Sequence, residues 1–115
     1  MVNPKILCRK HLLGEHVELH MFQGHINNGR SLNGYIKNDL VEPFNIMFRH
    51  ELLVFEMKRR GYNHNSSLKS WTSIGEKLIL STDPKLKINR QKSLMDLISR
   101  CHDCKERAML LGVIV

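Results

Sequence analysis

The sequence predicts a mainly α, compact single-domain fold with a largely buried N-terminal helix. Two stretches, residues 4–24 and 43–61, carry apolar side chains at helical spacing, and each begins at a proline and ends at a glycine. The chain has 115 residues, of which 42% are hydrophobic, and this is enough for one core but not for two. We therefore expect one helical domain spanning residues 1–115.

The first helix is predicted to start at Pro4, with Asn3 as its N-cap, and to stop at Gly24. At about 100° per residue, its apolar side chains form two flanks. These flanks contain Ile6, Leu13, Val17 and Met21 on one side and Leu12 and Leu19 on the other. The residues expected to face solvent are Lys5, Arg9, His16 and His20. A helix with two apolar flanks is mostly buried.

A polar stripe lies between the two flanks and consists of Cys8, His11, Glu15 and Glu18. Helical spacing places these four side chains on one face, which points into a cleft or a core. Buried carboxylates are costly unless they are paired, so the stripe is a candidate for the chemical centre. Two structural interpretations stay open: Glu15 pairs with an arginine of a neighbouring helix, and His11 is an ordinary core histidine.

The loop at residues 25–33 is rich in turn formers and carries Arg30, which either contacts phosphate or is simply solvated. Residues 34–42 predict a short irregular or helical connector. The second helix starts at Pro43 and ends at Gly61, with the basic run 58–60 either complementing the helix dipole or contacting phosphate. It is expected to bury two sides, which contain Met47, His50, Val54 and Met57, and Phe44, Phe48, Leu52 and Phe55.

The C-terminal half gives weaker signals. Residues 62–73 predict a polar loop in which Trp71 anchors the chain to the core or stacks on a base, the anchor being favoured. Residues 74–80 are compatible with a strand or a helix, and residues 86–98 have helical spacing.

Three cysteines and a histidine have the spacing of zinc ligands. Cys101 and Cys104 form a C-x-x-C pair, and Cys8 with His11 forms a C-x-x-H pair on one helical face. The sequence therefore predicts a possible zinc site, with His102 as a substitute for His11. Ordinary buried thiols are the alternative.

The charge of the chain indicates a polyanionic partner. A formal net charge of +7 and a pI near 9.6 favour nucleic acid. No apolar run approaches the roughly 20 residues of a membrane span, no signal peptide is recognisable, and an odd cysteine count suits a reducing compartment. We expect a cytoplasmic, DNA-associated protein. Gly-rich phosphate loops and the G-x-S-x-G elbow are absent from the sequence.

Two motifs carry a family resemblance. The first is H-L-L-G-E-H-V-E-L at residues 11–19, and the second is R-H-E-L-L-V-F-E-M-K-R-R-G-Y-N at residues 49–63. Both resemble the pyrimidine-dimer DNA glycosylase/AP lyase family, typified by the phage endonuclease V enzymes. The similarity is closer still to short bacterial and archaeal relatives, through C-R-x-H-L-L-G-E-H and R-G-x-x-H-x-S.

The resemblance implies a helical fold and a covalent reaction on damaged double-stranded DNA. In that family an N-terminal amine attacks C1′ of the damaged nucleotide, which here assigns Met1, or Val2 after methionine removal, as the nucleophile. The family's catalytic glutamate falls on Glu18 and its DNA-contacting histidine on His11. The chain departs from the family at Val17 and Met21, where the family has arginines, and the family's aromatic C-terminal tail is replaced here by residues 110–115.

We therefore predict a DNA glycosylase/AP lyase acting at pyrimidine dimers or abasic sites, with Glu18 as acid and base. The chemistry requires no cofactor, and zinc is a possible addition. The residues predicted to contact DNA are Lys10, His11, Arg30, Lys58, Arg59 and Arg60. One alternative is a non-catalytic basic nucleic-acid-binding protein, with or without a stabilising zinc ion. Another is a protein-interaction domain with an acidic partner.

Overall fold

Helices supply the regular structure of the molecule. The computed structural model describes residues 2–38, 40–64 and 66–113. The helices are α1 (Arg9–Asn27), α2 (Asn33–Lys37), α3 (Ile46–Arg59), α4 (Ser73–Leu80), α5 (Arg90–Arg100) and α6 (His102–Leu110). Two 3-10 turns, Pro4–Ile6 and Pro43–Asn45, precede α1 and α3. No strand occurs in the described ranges, so the prediction of a mainly α fold is confirmed, and the open choice at residues 74–80 resolves to a helix.

Helix α1 is the central element. It packs against both α3 and α4, while α5 packs against α6, and α6 in turn contacts the 3-10 turn before α1. One hydrophobic cluster draws side chains from all six helices. Its fully buried aliphatic members include Ile6, Leu12, Leu19, Ile26, Ile46 and Leu53. The N-terminal helix is therefore placed where both of its neighbours can cover it.

The chain enters α1 through a break that the sequence did not predict. The Asn3 side chain does act as a cap, but it accepts from the Lys5 amide and caps only the 3-10 turn. The backbone is then extended at Leu7 and Cys8, and α1 begins afresh with Cys8 as its N-cap. Both Ile6 and Leu7 are buried at this break.

The predicted end of this helix at Gly24 is also wrong. Gly24 lies inside α1, which continues to Asn27 and is followed by Gly29 at a φ of 76°. A glycine in a helix interior costs about 1 kcal/mol relative to alanine, and burial of Ile26 in the next turn, about 1.5–3 kcal/mol, outweighs that cost. The predicted stop of α3 is confirmed, because Gly61 follows it at a φ of 83°.

The predicted solvent face of α1 is wrong at its two histidines. His16 is only 8% exposed and His20 is half-buried, whereas Val17 and Met21 are exposed. Helix α3 packs on the side of α1 that carries His16, where its imidazole meets the His50 imidazole. Polar partners on both helices reduce the cost of this burial, and the two apolar side chains are left outside.

Helix α3 buries one of its two apolar sides instead of both. His50, Val54 and Met57 are buried as predicted, although Met47 is 42% exposed. On the second side Phe48 is 65% exposed, and Phe44, Leu52 and Phe55 are exposed with it. The elements that mainly contact α3 in the described ranges are α1 and the two 3-10 turns, and they leave most of the second side uncovered.

The segment between α3 and α4 is held on α1 by two side-chain amides. Gln23 donates to the Lys69 carbonyl and accepts from the Lys69 amide at 2.8 Å. One turn later, Asn27 donates to the Ser70 carbonyl and accepts from the Thr72 amide at 2.9 Å. The two amides thus replace the backbone partners that an extended segment lacks.

A buried carboxylate fixes the end of α3 to the start of the chain. Glu56 is 2% exposed and accepts hydrogen bonds from Arg59 and Arg60. The hydrogen bonds from Arg59, together with Arg60, lower the pKa of Glu56 to about 2. Arg60 also donates to the carbonyls of Pro4 and Leu7, so one guanidinium joins α3 to the segment before α1.

The contact between α1 and α4 gives a first prediction. A Cβ added at Gly75 would lie 2.5 Å from Asn27 Oδ1 and 3.2 Å from Thr72 Oγ1. Gly75→Ala must displace the Asn27 amide from its hydrogen bond with Thr72, and we expect the free energy of unfolding to fall by about 1–3 kcal/mol. Chemical denaturation measures this loss.

Gly24→Ala is the matched control, because a Cβ at this exposed helical position meets no heavy atom within 4 Å. We expect it to raise the free energy of unfolding by up to about 1 kcal/mol through helix propensity. Equal effects of the two substitutions would contradict a close contact between α1 and α4.

Candidate active site and metal-binding cluster

A cleft of about 370 Å³ opens between the N-terminal segment, α1 and α5. Its volume is within the range of ligand-binding pockets, about 300–1,000 Å³. Among the residues that line it are Val2, Lys10, His11, Glu15, Glu18 and Arg100. Three members of the predicted polar stripe, His11, Glu15 and Glu18, therefore face the same cleft. The fourth, Cys8, lies beside Cys101 and Cys104.

Arg49 of α3 does not line the cleft, but it holds two residues that do, Glu15 and Val2, and it is only 5% exposed. Its Nε and Nη2 donate to the two carboxylate oxygens of Glu15, the Nη2 bond being 2.8 Å long. Its Nη1 donates to the Val2 carbonyl at 2.7 Å. The arginine partner anticipated for Glu15 is thus present, and the same guanidinium holds the first residues of the chain beside α1. Met1, the other predicted nucleophile, lies outside the described residues.

Glu18 has a different environment from Glu15. Its side chain is exposed toward the cleft, yet desolvation by the cleft walls, followed by the negative charge of Glu15, raises its pKa above the usual range for a glutamate. A carboxyl group with a raised pKa exchanges its proton closer to neutral pH. It is therefore suited to act as an acid and as a base.

Beside the cleft, three sulfurs and one imidazole converge from the two ends of the chain. Cys8 Sγ lies 3.1 Å from His11 Nδ1 and 3.9 Å from Cys101 Sγ, and Cys104 Sγ lies 3.5 Å from His11 Nδ1. All four ligand atoms are within 4.8 Å of one another. This group of Cys8, His11, Cys101 and Cys104, which we call the thiol cluster, could hold a metal ion.

Backbone amides already point at the sulfurs. The Cys8 amide donates to Cys104 Sγ at 3.2 Å, and the Cys104 amide donates to Cys101 Sγ at 3.5 Å. The latter contact lowers the pKa of Cys101, whereas burial raises the pKa of Cys104 to about 12. A cation would compete with the proton of Cys104 and favour the thiolate. His102 is 79% exposed and pairs with Glu106, so the cluster uses His11 and not His102.

The residues predicted to contact DNA lie in three places. Lys10 and His11 line the cleft, where they are joined by Arg100 of α5. Arg30 is exposed and borders a separate cavity between α1, α2 and α4. The third place is the C-terminal end of α3.

At the end of α3 the three basic residues differ in availability. Lys58 is exposed, and Arg59 is half-exposed while paired with Glu56. The Arg60 side chain is 9% exposed, and its donors are engaged by Glu56 and by backbone carbonyls. Arg60 therefore has a structural role. The two roles predicted for the basic run 58–60, complementing the helix dipole and contacting phosphate, did not include it.

Sequence reasoning missed two arginines, Arg49, which contacts lining residues of the cleft, and Arg100, which lines it. Arg49 lies on α3, where the apolar spacing predicts which of its neighbours are buried but does not predict a buried arginine. The available signal was a basic residue on a helix that could pair with Glu15. Arg100 reaches the cleft because α5 folds back against the N-terminal segment, and helical spacing within α5 gives no indication of this.

A comparison with protein families adds an independent observation. A family model described as pyrimidine dimer DNA glycosylase matches residues 1–70 of the chain. The chain belongs to this family. The pyrimidine dimer DNA glycosylase match spans Val2, Glu15, Glu18 and Arg49, so it contains the α1 side of the cleft and the arginine that holds Glu15 and Val2. Cys101 and Cys104 lie beyond it.

Other comparisons are negative. Searches against curated proteins and against solved structures gave no significant match. Within the described residues, none of the helices has the length and hydrophobicity needed to cross a bilayer.

Proposed function

We propose that this glycosylase-family protein acts on damaged double-stranded DNA through a Schiff base formed by the amine at its N-terminus, with Glu18 moving protons. The observation that carries the proposal is the shared cleft. Val2 and Glu18 line the same cavity, and the Val2 carbonyl is fixed there by Arg49. Family membership supports pyrimidine-dimer DNA as the substrate.

The chemistry depends on these two groups. A neutral amine attacks C1′ of the damaged nucleotide, the glycosidic bond breaks, and the base leaves with the electron pair and takes up a proton. The nitrogen loses its proton as the sugar ring opens to the imine. A base then removes a proton from C2′, the C3′–oxygen bond breaks, and water finally hydrolyses the imine. Glu18 is the group in the cleft that can accept and return these protons.

The proposed DNA contacts form two groups, one within the cleft and one outside it. Lys10 and His11 line the cleft, and Arg100 adds a positive charge from α5 close to the reacting nucleotide. Arg30, Lys58 and Arg59 are proposed as outer contacts to the phosphate backbone. Arg60 is left out of this set because its donors are engaged within the protein.

We also propose that the thiol cluster holds a structural zinc ion. Three cysteine sulfurs and one histidine nitrogen form one of the usual closed zinc sites. His11 belongs both to this cluster and to the wall of the cleft. The ion would therefore fix the start of α1, where the cleft begins, to α6.

Borohydride trapping tests the central proposal. The amine should form an imine with an abasic site in duplex DNA, and reduction should link protein and DNA covalently. Mass spectrometry of the digested adduct should place the link on the N-terminal peptide. Blocking the α-amine by acetylation should remove the adduct, because an acetylated amine is not nucleophilic.

Absence of an adduct from folded protein would contradict the Schiff base. If such protein still bound duplex DNA with a log–log salt slope near −0.9 per phosphate contacted, the non-catalytic binding alternative would replace it. An adduct on a lysine peptide would retain the lyase activity and overturn the assignment of the nucleophile.

Replacing Glu18 by glutamine tests the acid–base role. Glu18→Gln keeps the size of the side chain and its hydrogen bonding while removing the ionisable proton. Strand cleavage at abasic sites should fall by about 10²- to 10⁴-fold, with little change in DNA affinity or melting temperature. Single-turnover cleavage and a binding titration on the same preparation separate these effects.

Glu15→Gln is the matched control on the same helix. It weakens the ion pair with Arg49, so it should lower the melting temperature much more than Glu18→Gln does. If both variants lose the same stability and cleave normally per folded molecule, Glu18 has no chemical role.

Cobalt substitution tests the zinc proposal. Metal-free protein should take up about one Co²⁺ with sulfur-to-cobalt charge-transfer absorption, and chelation should lower the melting temperature, since structural metal binding is coupled to folding. Cys104→Ser should lose the absorption, whereas His102→Gln should keep it. Absence of this absorption, with melting unchanged by chelation, would instead favour ordinary thiols.

A further inference from the structure

A second group of ligand atoms lies between α1, α3 and the segment that follows α3. His16 Nε2 is 2.9 Å from His64 Nε2 and 3.1 Å from His50 Nε2. The three nitrogens are within 4.8 Å of one another, and His16 and His50 are buried. A fourth ring, His20, lies 4.8 Å from the His16 ring and 5.2 Å from the His50 ring, measured between centroids.

Hydrogen bonding does not account for this arrangement. A neutral imidazole nitrogen offers either one N–H or one lone pair in the ring plane. His16 Nε2 can therefore form a hydrogen bond with only one of its two neighbours, His64 Nε2 and His50 Nε2. The other neighbour faces it without a matching donor or acceptor. His20 Nε2 is buried and has no hydrogen-bond partner within the described part of the chain. Such groups are costly to bury unless something else pairs with them.

We propose that His16, His50 and His64 bind a divalent transition-metal ion. The His20 ring lies beside them and would have to move to reach that ion. In a tetrahedral zinc site with bonds of 2.0–2.1 Å, ligand nitrogens stand about 3.3 Å apart, and the two spacings at His16, 2.9 Å and 3.1 Å, are close to that value. His16 and His20 also have the i, i+4 spacing at which one helix face presents two imidazoles to a metal.

The surroundings of the rings support a metal ligand role. The nitrogen of His50 that points away from the cluster, Nδ1, faces Glu51 Oε1 at 3.4 Å, which is the usual outer-shell arrangement for a metal-bound histidine.

This histidine cluster differs from the thiol cluster in chemistry and in place. All its donors are imidazoles, which suit zinc, copper, nickel and cobalt, whereas the thiol cluster offers sulfur. None of its histidines lines the cleft that contains Glu18. The ion would join three segments that are distant along the chain, so its role is structural and separate from the DNA chemistry.

Cobalt titration of the full-length metal-free protein distinguishes the two clusters. An imidazole-bound Co²⁺ shows d–d bands without sulfur-to-cobalt absorption, so the wild-type chain should bind about one ion of this kind per chain in addition to any thiolate-bound ion. His64→Gln should weaken the affinity for this sulfur-free Co²⁺ ion by more than about 100-fold. Loss of a residue that only supports a metal ligand usually weakens metal affinity by about 10- to 100-fold. His25→Gln, a half-buried histidine of α1 outside the cluster, should leave it unchanged.

A second variant keeps the test decisive if His64→Gln does not fold. Glu51 is 76% exposed, so Glu51→Gln should fold normally. It should weaken the affinity for the sulfur-free Co²⁺ ion by about tenfold, because Glu51 contacts the proposed ligand His50. A wild-type chain that binds no sulfur-free cobalt would overturn the proposal, as would a folded His64→Gln chain that binds it with unchanged affinity. Neither result depends on DNA cleavage.

Discussion

The guanidinium of Arg49 is the group on which the arrangement of the cleft depends. A buried cation is tolerated only when its charge and its donors are satisfied, and Arg49 meets this requirement with the Glu15 carboxylate and the Val2 carbonyl. The same three contacts fix the distance between α1 and α3 and place the start of the chain against α1. Because one side chain serves both purposes, the position of the N-terminal segment is a property of the core and not of a surface loop.

Polar contacts recur throughout this core at the points where distant segments meet. The thiol cluster joins residues near the two ends of the chain, Glu56 and Arg60 join the end of α3 to the segment before α1, and the histidine cluster joins three segments. A chain of 115 residues buries a limited apolar area, so polar contacts of this kind add to the constraints that hold its distant segments together. They also explain why apolar side chains such as Phe48 and Val17 stay outside: polar partners occupy the contacts between helices.

Local rules were enough to predict much of the fold and part of the site. Apolar spacing found the two main helices, Gly61 ended α3 as expected, and the C-x-x-C and C-x-x-H spacings identified four residues that the fold brings together. Helical geometry also placed Glu15 and Glu18 on one face, which is the face of the cleft. These properties depend on residues a few positions apart, where backbone geometry fixes the relation between side chains.

The features that could not be predicted depend on partners far along the chain. The burial of His16 in place of Val17 depends on His50, thirty-four residues away, because a buried imidazole needs a hydrogen-bond partner. Arg60 could not be separated from Lys58 by position alone, since its carbonyl partners belong to the first residues of the chain. Hydrophobic pattern ranks histidine and arginine as surface residues, and only the fold shows which of them are paired.

The segment between α3 and α4 has a further consequence for how the molecule opens. In the described part of this segment, side-chain amides of Gln23 and Asn27 hold the backbone in place of a ladder of backbone hydrogen bonds. We therefore expect the segment to detach more readily than the packed helices. Trp71 is the only tryptophan of the chain, and it lies half-buried within this segment. Intrinsic fluorescence therefore reports this local detachment directly, and an emission change that precedes the loss of helical circular dichroism would separate it from global unfolding.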